Sequence, residues 1–164
     1  MKIKVATADI TEYKCDVLIV NLFEGVKKPG GASGAVDKAL GGALKKLIYN
    51  EEFSGKKGET AVLDSSGKLS ADRVVVVGLG KQENFDLDGA RSAAAYSAQK
   101  VRDMKASSAG TIVHGAGAGG LDPEDAGCAI AEGVLMGLYK FDKYMTNEDK
   151  KKKKELTEFA IIEM

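Results

Sequence analysis

Four valines in succession, Val74 to Val77, stand between Arg73 and the turn-forming stretch Gly78-Leu79-Gly80-Lys81. No polar residue alternates with them. A strand that is apolar on both faces must be covered on both faces, as the inner strands of α/β sheets are. β-branched side chains suit that pleated, packed setting. Gly78 and Gly80 let the backbone turn where a side chain would clash. The stretch is expected as the central strand of a sheet held between helices.

The segments around it fill in that sheet. Ile3 and Val5 alternate with lysines, which predicts a half-exposed edge strand over residues 2–7. Asp9-Ile10-Thr11-Glu12 reads as a turn or a short helical turn. Asp16 then opens Val17-Leu18-Ile19-Val20-Asn21-Leu22, a second buried strand. Apolar pairs recur every four positions at Ala35-Val36, Ala39-Leu40, Ala43-Leu44 and Leu47-Ile48. That spacing predicts one amphipathic helix with Ser33 as its N-cap. Gly41 and Gly42 fall inside it at a cost of about 1 kcal/mol each. Close approach to a neighbouring backbone is the expected compensation.

Residues 59–64 read as a strand and Ser65-Ser66-Gly67-Lys68 as a turn. Only nine residues, 65–73, precede the valine run, too few for a helical crossover, so the pair is expected antiparallel. Asp86 or Asp88 caps a helix running to Lys105, with a small-residue stripe at Ala90, Ala93, Ala94, Ser97 or Ala98, and Val101. Small side chains let such a helix lie close to a sheet. Gly110 to His114 reads as a strand. A helix follows with Asp122 before it and Pro123 at its first position. A polar, lysine-rich linker over 145–155 leads to a last strand within 156–162. The order β-β-α-β-β-α-β-α-β predicts an α/β fold, with a mixed sheet of about six strands and helices on both faces. The whole chain, 1–164, reads as one domain without internal repeats.

Composition narrows the partners. The 24 Lys and Arg balance 24 Asp and Glu, so overall charge draws the protein neither to nucleic acid nor to a membrane. No apolar run approaches the roughly 20 residues a membrane helix needs. Met1 to Val5 lacks the apolar core of a signal peptide. Cys15 and Cys128 are the only cysteines, and such sparse use fits a reducing, cytoplasmic setting.

Two glycine-rich loops are the candidate ligand sites. Gly115-Ala116-Gly117-Ala118-Gly119-Gly120 has the spacing G-x-G-x-x-G between a strand and a helix. Gly115, Gly117 and Gly120 there would let backbone N–H groups approach a phosphate. A dinucleotide fingerprint, however, sits in the first βαβ unit, with an acidic residue at the end of the next strand. Here Glu132 falls inside the helix, so a plain turn is the simpler account. Pro29-Gly30-Gly31-Ala32-Ser33-Gly34 also joins a strand to a helix start, and Gly30, Gly31 and Ser33 are its candidate contacts. In outline, with Asp16 and Asn21 on the preceding strand, it resembles the first ligand loop of macro domains, which bind ADP-ribose.

No catalytic or metal-binding residue is assigned. His114 is the single histidine and reads as a hydrogen-bonded structural residue. Cys15 and Cys128 lie in no CxxC pattern and read as inert thiols. Asp37, Glu132 and Asp142 are scattered and form no acid–base pair. The run Lys150 to Lys154 is flanked by acids and has no interleaved aromatics, so it reads as a solvated linker.

Several segments in order resemble the N-terminal domain of the leucyl aminopeptidase (cytosol aminopeptidase) family. They are Asp16 to Val20 with Phe23-Glu24, Leu40 to Leu44, Phe53 to Thr60, Asp72 to Lys81, the helix holding Arg91, and Ala131 to Tyr144. The resemblance implies a macro-domain-like three-layer sandwich. It implies a parent exopeptidase that releases N-terminal residues from peptides with two divalent metals, zinc or manganese, held in a C-terminal catalytic domain. It further implies that domain as partner, in a parent that is a homohexamer, and DNA binding in some bacterial members. The family's metal-ligand motif Asn-Thr-Asp-Ala-Glu-Gly-Arg does not occur, so the catalytic domain is expected to be absent and no cofactor is expected in this chain.

Three functions therefore compete. The first is a non-catalytic structural and interaction domain of an aminopeptidase. The second is a macro-like module binding ADP-ribose or a related nucleotide. The third is a DNA-binding accessory domain.

Overall fold

A computed structural model describes residues 1–139 and 155–163. The linker expected over 145–155 lies, apart from Glu155, outside the described residues, as do the lysine run and Asp142. The strands are β1 (Lys2–Thr7), β2 (Cys15–Leu22), β3 (Thr60–Asp64), β4 (Ala71–Gly78), β5 (Ser108–Ile112) and β6 (Glu158–Glu163). The helices are α1 (Gly31–Ala39), α2 (Ala43–Tyr49), α3 (Leu87–Asp103) and α4 (Pro123–Leu138). The strands form one six-stranded sheet in the order β1-β6-β5-β2-β4-β3. β3 is antiparallel to β4, as the short connection requires, and the other neighbours are parallel.

The valine run does what two-sided burial demands. Val75 and Val77 join a core with Ala93, Ala94 and Val101 of α3 and Ile130 and Val134 of α4. Val74 and Val76 face the other way, into a core with Val36 of α1 and Leu44 of α2. β2 splits likewise, with Val17 and Ile19 on the first side and Leu18 and Val20 on the second. The result is a three-layer α/β sandwich. β4 is an inner strand but not the central one, because β2 and β5 hold the middle of the sheet. β3 pairs antiparallel with its outer side and forms the edge of the sheet.

The expected long helix is two helices. Gly41 and Gly42 have φ of 70° and 87°, left-handed values that end α1 and redirect the chain into α2. No backbone crowds either glycine. Conformation, not close approach, is why glycine stands there. α2 gains its cap from the buried Asp37 of α1, whose Oδ1 accepts from the N–H groups of Leu44 at 2.8 Å and Lys45 at 3.1 Å. Ser33 is not the N-cap of α1; Gly30, three residues earlier, is. Asp86 caps α3 and Asp122 caps α4, with Pro123 at the start. β5 ends at Ile112, so His114 lies just beyond the strand instead of within it.

Gly78 closes β4 against the 55–58 turn. A Cβ there would overlap the Lys56 carbonyl oxygen and lie 2.7 Å from the Gly55 carbonyl carbon. Both are backbone atoms and cannot swing away. Gly78→Ala is therefore expected to lower unfolding free energy by about 2 kcal/mol, the scale of core overpacking, in urea denaturation. An unchanged midpoint would contradict this packing.

Candidate functional site: a cavity at the strand ends

The chain leaves β2 for α1 on one face of the sheet and leaves β5 for α4 on the opposite face. β2 and β5 are neighbours. Their two following loops therefore diverge, and a crevice opens at the carboxyl ends of the strands, where α/β sheets hold ligands. A cavity of about 480 Å³ occupies this place.

Both glycine-rich loops border it. Gly30, Gly31 and Ser33 line one side, and Gly115 and Gly117 the other. Gly120 does not line it; its positive φ closes the loop, and its N–H donates to Gly117 O at 3.0 Å. The second loop is anchored as well as turned. Gln82 Nε2 donates to Ala118 O, and Gly115 sits on Phe85, leaving no room for a side chain. Phe85 in turn packs edge-on against Phe23, with ring centroids 5.2 Å apart.

The first loop supplies the start of α1. No side chain caps that helix end. The N–H groups of its first turn have no partner within the helix. Together with the helix dipole they favour an anion at the cavity edge. Ser33 is committed elsewhere, its Oγ donating to Asn21 O at 2.7 Å and so tying α1 to β2.

The two strand residues that pointed to this loop separate in space. Asn21, near the C-terminal end of β2, lines the cavity. Asp16 stands at the other end of the strand, roughly 16 Å away at 3.3 Å per residue. Its Oδ2 accepts from Ser107 N at 2.6 Å and fixes the entry of β5.

His114 is completely buried beneath the cavity wall. Asn21 Nδ2 is 2.9 Å from its Nδ1, and Thr111 Oγ1 is 3.3 Å from its Nε2. Burial among these neutral groups pushes its pKa down to about 4. It is a structural histidine beside the site, not a base facing it. Cys15 is buried, and loss of solvation pushes its thiol up to about 12, so it stays protonated; Cys128 is exposed on α4. Asp37 caps α2, and Glu132 pairs with Arg91 across α3 and α4. Among the described residues no group of three or more His, Cys, Asp or Glu side chains is gathered for a metal ion. The arrangement can bind and orient; among the described residues it assembles no nucleophile with a base.

Sequence reading missed the rest of the cavity's wall. Val26, Ile112 and Ile162 line it as ordinary apolar residues from three separate segments. Only the sheet order, not any local pattern, brings them together.

The chain matches the N-terminal domain of the cytosol aminopeptidase family over residues 19–148. It belongs to that family. A probable cytosol aminopeptidase of Alkaliphilus metalliredigens is 33% identical over 162 residues, which are 99% of this chain and 32% of the relative. The chain thus spans about a third of the length of the curated relatives it matches. A tomato leucine aminopeptidase mutant superposes with TM-score 0.78 at 22% identity, over 99% of this chain and 32% of that one. A Trypanosoma brucei macrodomain in complex with ADP-ribose superposes with TM-score 0.71 at 18% identity, over 98% of this chain and 62% of that one. The aminopeptidase N-terminal domain and the macrodomain thus share this α/β sandwich. None of the described helices is long and apolar enough to cross a membrane.

His114 gives a pH test of the site's floor. Its folded pKa lies below its unfolded value, so between about pH 6.5 and 4 the unfolded chain binds the extra proton. Stability is intact above that window and declines through it as pH falls, by up to about 3 kcal/mol. With one histidine in the chain, a single imidazole signal reports this. The NMR titration is expected to stay flat near pH 6.5, with its midpoint near 4. A midpoint near 6.5 would show an exposed ring.

Proposed function

We propose that this chain is the non-catalytic N-terminal module of a cytosol aminopeptidase, a structural and interaction domain. The family match carries the proposal, together with relatives about three times longer that leave room for a separate catalytic domain. The donor set described here does not fit a metal pair. Two-metal hydrolysis needs a cage of carboxylates around paired ions. We assign that cage, zinc or manganese included, to a C-terminal catalytic domain, this module's partner within a hexameric parent. Pure protein is expected to show no turnover of leucine-4-nitroanilide with manganese or zinc added. Metal-dependent release of nitroaniline would overturn the proposal.

A second function rests on the cavity itself. It is bordered by two glycine-rich loops and an uncapped helix start, and a macrodomain solved with ADP-ribose has the same fold. We propose that the cavity takes ADP-ribose or a related nucleotide, its phosphates toward the first-turn N–H groups of α1. Calorimetry with ADP-ribose is expected to give saturable heat. Silence at millimolar ligand would remove this function and leave the first untouched. DNA binding gains nothing comparable, because positive and negative residues balance.

A further inference from the structure

Three polar side chains border the cavity: Asn21, Ser33 and Glu163. Ser33 spends its proton on Asn21 O. An ionised Glu163 only accepts. Asn21 differs, because the two ends of its carboxamide have opposite hydrogen-bonding character. Which end a ligand meets depends on what holds the group from behind.

The hydrogen bonds behind it run in one direction. The chain starts at Ile112 O, a backbone carbonyl that can only accept. Thr111 Oγ1 donates to it at 3.1 Å and so uses its single proton. The contact between Thr111 Oγ1 and His114 Nε2, 3.3 Å, is then a bond in which Nε2–H donates. A neutral imidazole protonated on Nε2 has a bare Nδ1. That nitrogen accepts from Asn21 Nδ2 at 2.9 Å. Each step follows from the one before it.

We infer that His114 is a positioning residue that fixes the Asn21 carboxamide, so that Oδ1 and the second Nδ2 hydrogen are left for a ligand. Among the described residues Oδ1 accepts no hydrogen bond. The Asn21 end of the cavity then selects a ligand group that donates, a hydroxyl or an amine. An anionic oxygen placed against Oδ1 would be repelled. The inference rests on the second function proposed above, that the cavity takes a small molecule. Burial holds the pKa of His114 low, so the ring is neutral at neutral pH, as a single tautomer requires.

The tautomer is readable without any ligand. Long-range proton–nitrogen correlation on ¹⁵N-labelled protein at neutral pH is expected to show His114 protonated on Nε2 and bare on Nδ1. A proton on Nδ1 would overturn the inference. Thr111→Val keeps the shape and removes the acceptor for Nε2–H. It is expected to release the tautomer, shift the Asn21 side-chain amide signals and weaken ADP-ribose binding roughly fivefold. Thr111→Ser keeps the hydroxyl and is expected to restore all three. A released tautomer with unmoved Asn21 signals and unchanged affinity would overturn the positioning role. If ADP-ribose fails to bind the wild-type protein, the cavity's proposed function fails on its own. The free-protein tautomer and the Asn21 signals in Thr111→Val then decide the role of His114.

Discussion

The constraint on which everything else depends is the burial of β2 and β4 on both faces. Val17 to Val20 and Val74 to Val77 are all fully buried. Each such side chain contributes about 1.5–3 kcal/mol by leaving water. Set against a net stability of about 5–15 kcal/mol for a whole domain, eight of them are indispensable. Neither set can be satisfied by one layer of helices. α1 and α2 must cover one face while α3 and α4 cover the other, and the order of the chain follows from that need.

The cavity is a by-product of the same arrangement. The helices that follow β2 and β5, α1 and α4, serve opposite faces, so the loops after these strands part where the two lie side by side. The scaffold thereby creates a concave site at the carboxyl ends of the strands. Its chemistry comes mainly from backbone: an uncapped helix start and glycines that keep the loop close to Phe85.

Much of the fold was legible because its signals are local. Four valines without alternation imply two covered faces. Nine residues between strands imply an antiparallel pair. Asp122-Pro123 marks a helix start. The helix from Ala35 to Ile48 was misread for a physical reason: the apolar pairs keep their spacing on both sides of Gly41-Gly42, since α1 and α2 bury residues in the same core. Periodicity alone does not distinguish one long helix from two that share a face. The two glycine-rich loops were legible as turns, but not their meeting at one cavity. Asn21 and His114 are 93 residues apart, and only the parallel pairing of β2 with β5 joins them. Sheet order is a long-range property, and no stretch of this sequence encodes it by itself.

Hydrogen exchange of the backbone amides tests the central claim most directly. If two-sided burial organises the domain, the amides of Val17–Val20 and Val74–Val77 should exchange last, only through global unfolding. Those of the edge strands β1 and β3 should exchange well before them. Exchange from the inner strands as fast as from the edges would show that the doubly covered sheet is not what holds this protein together.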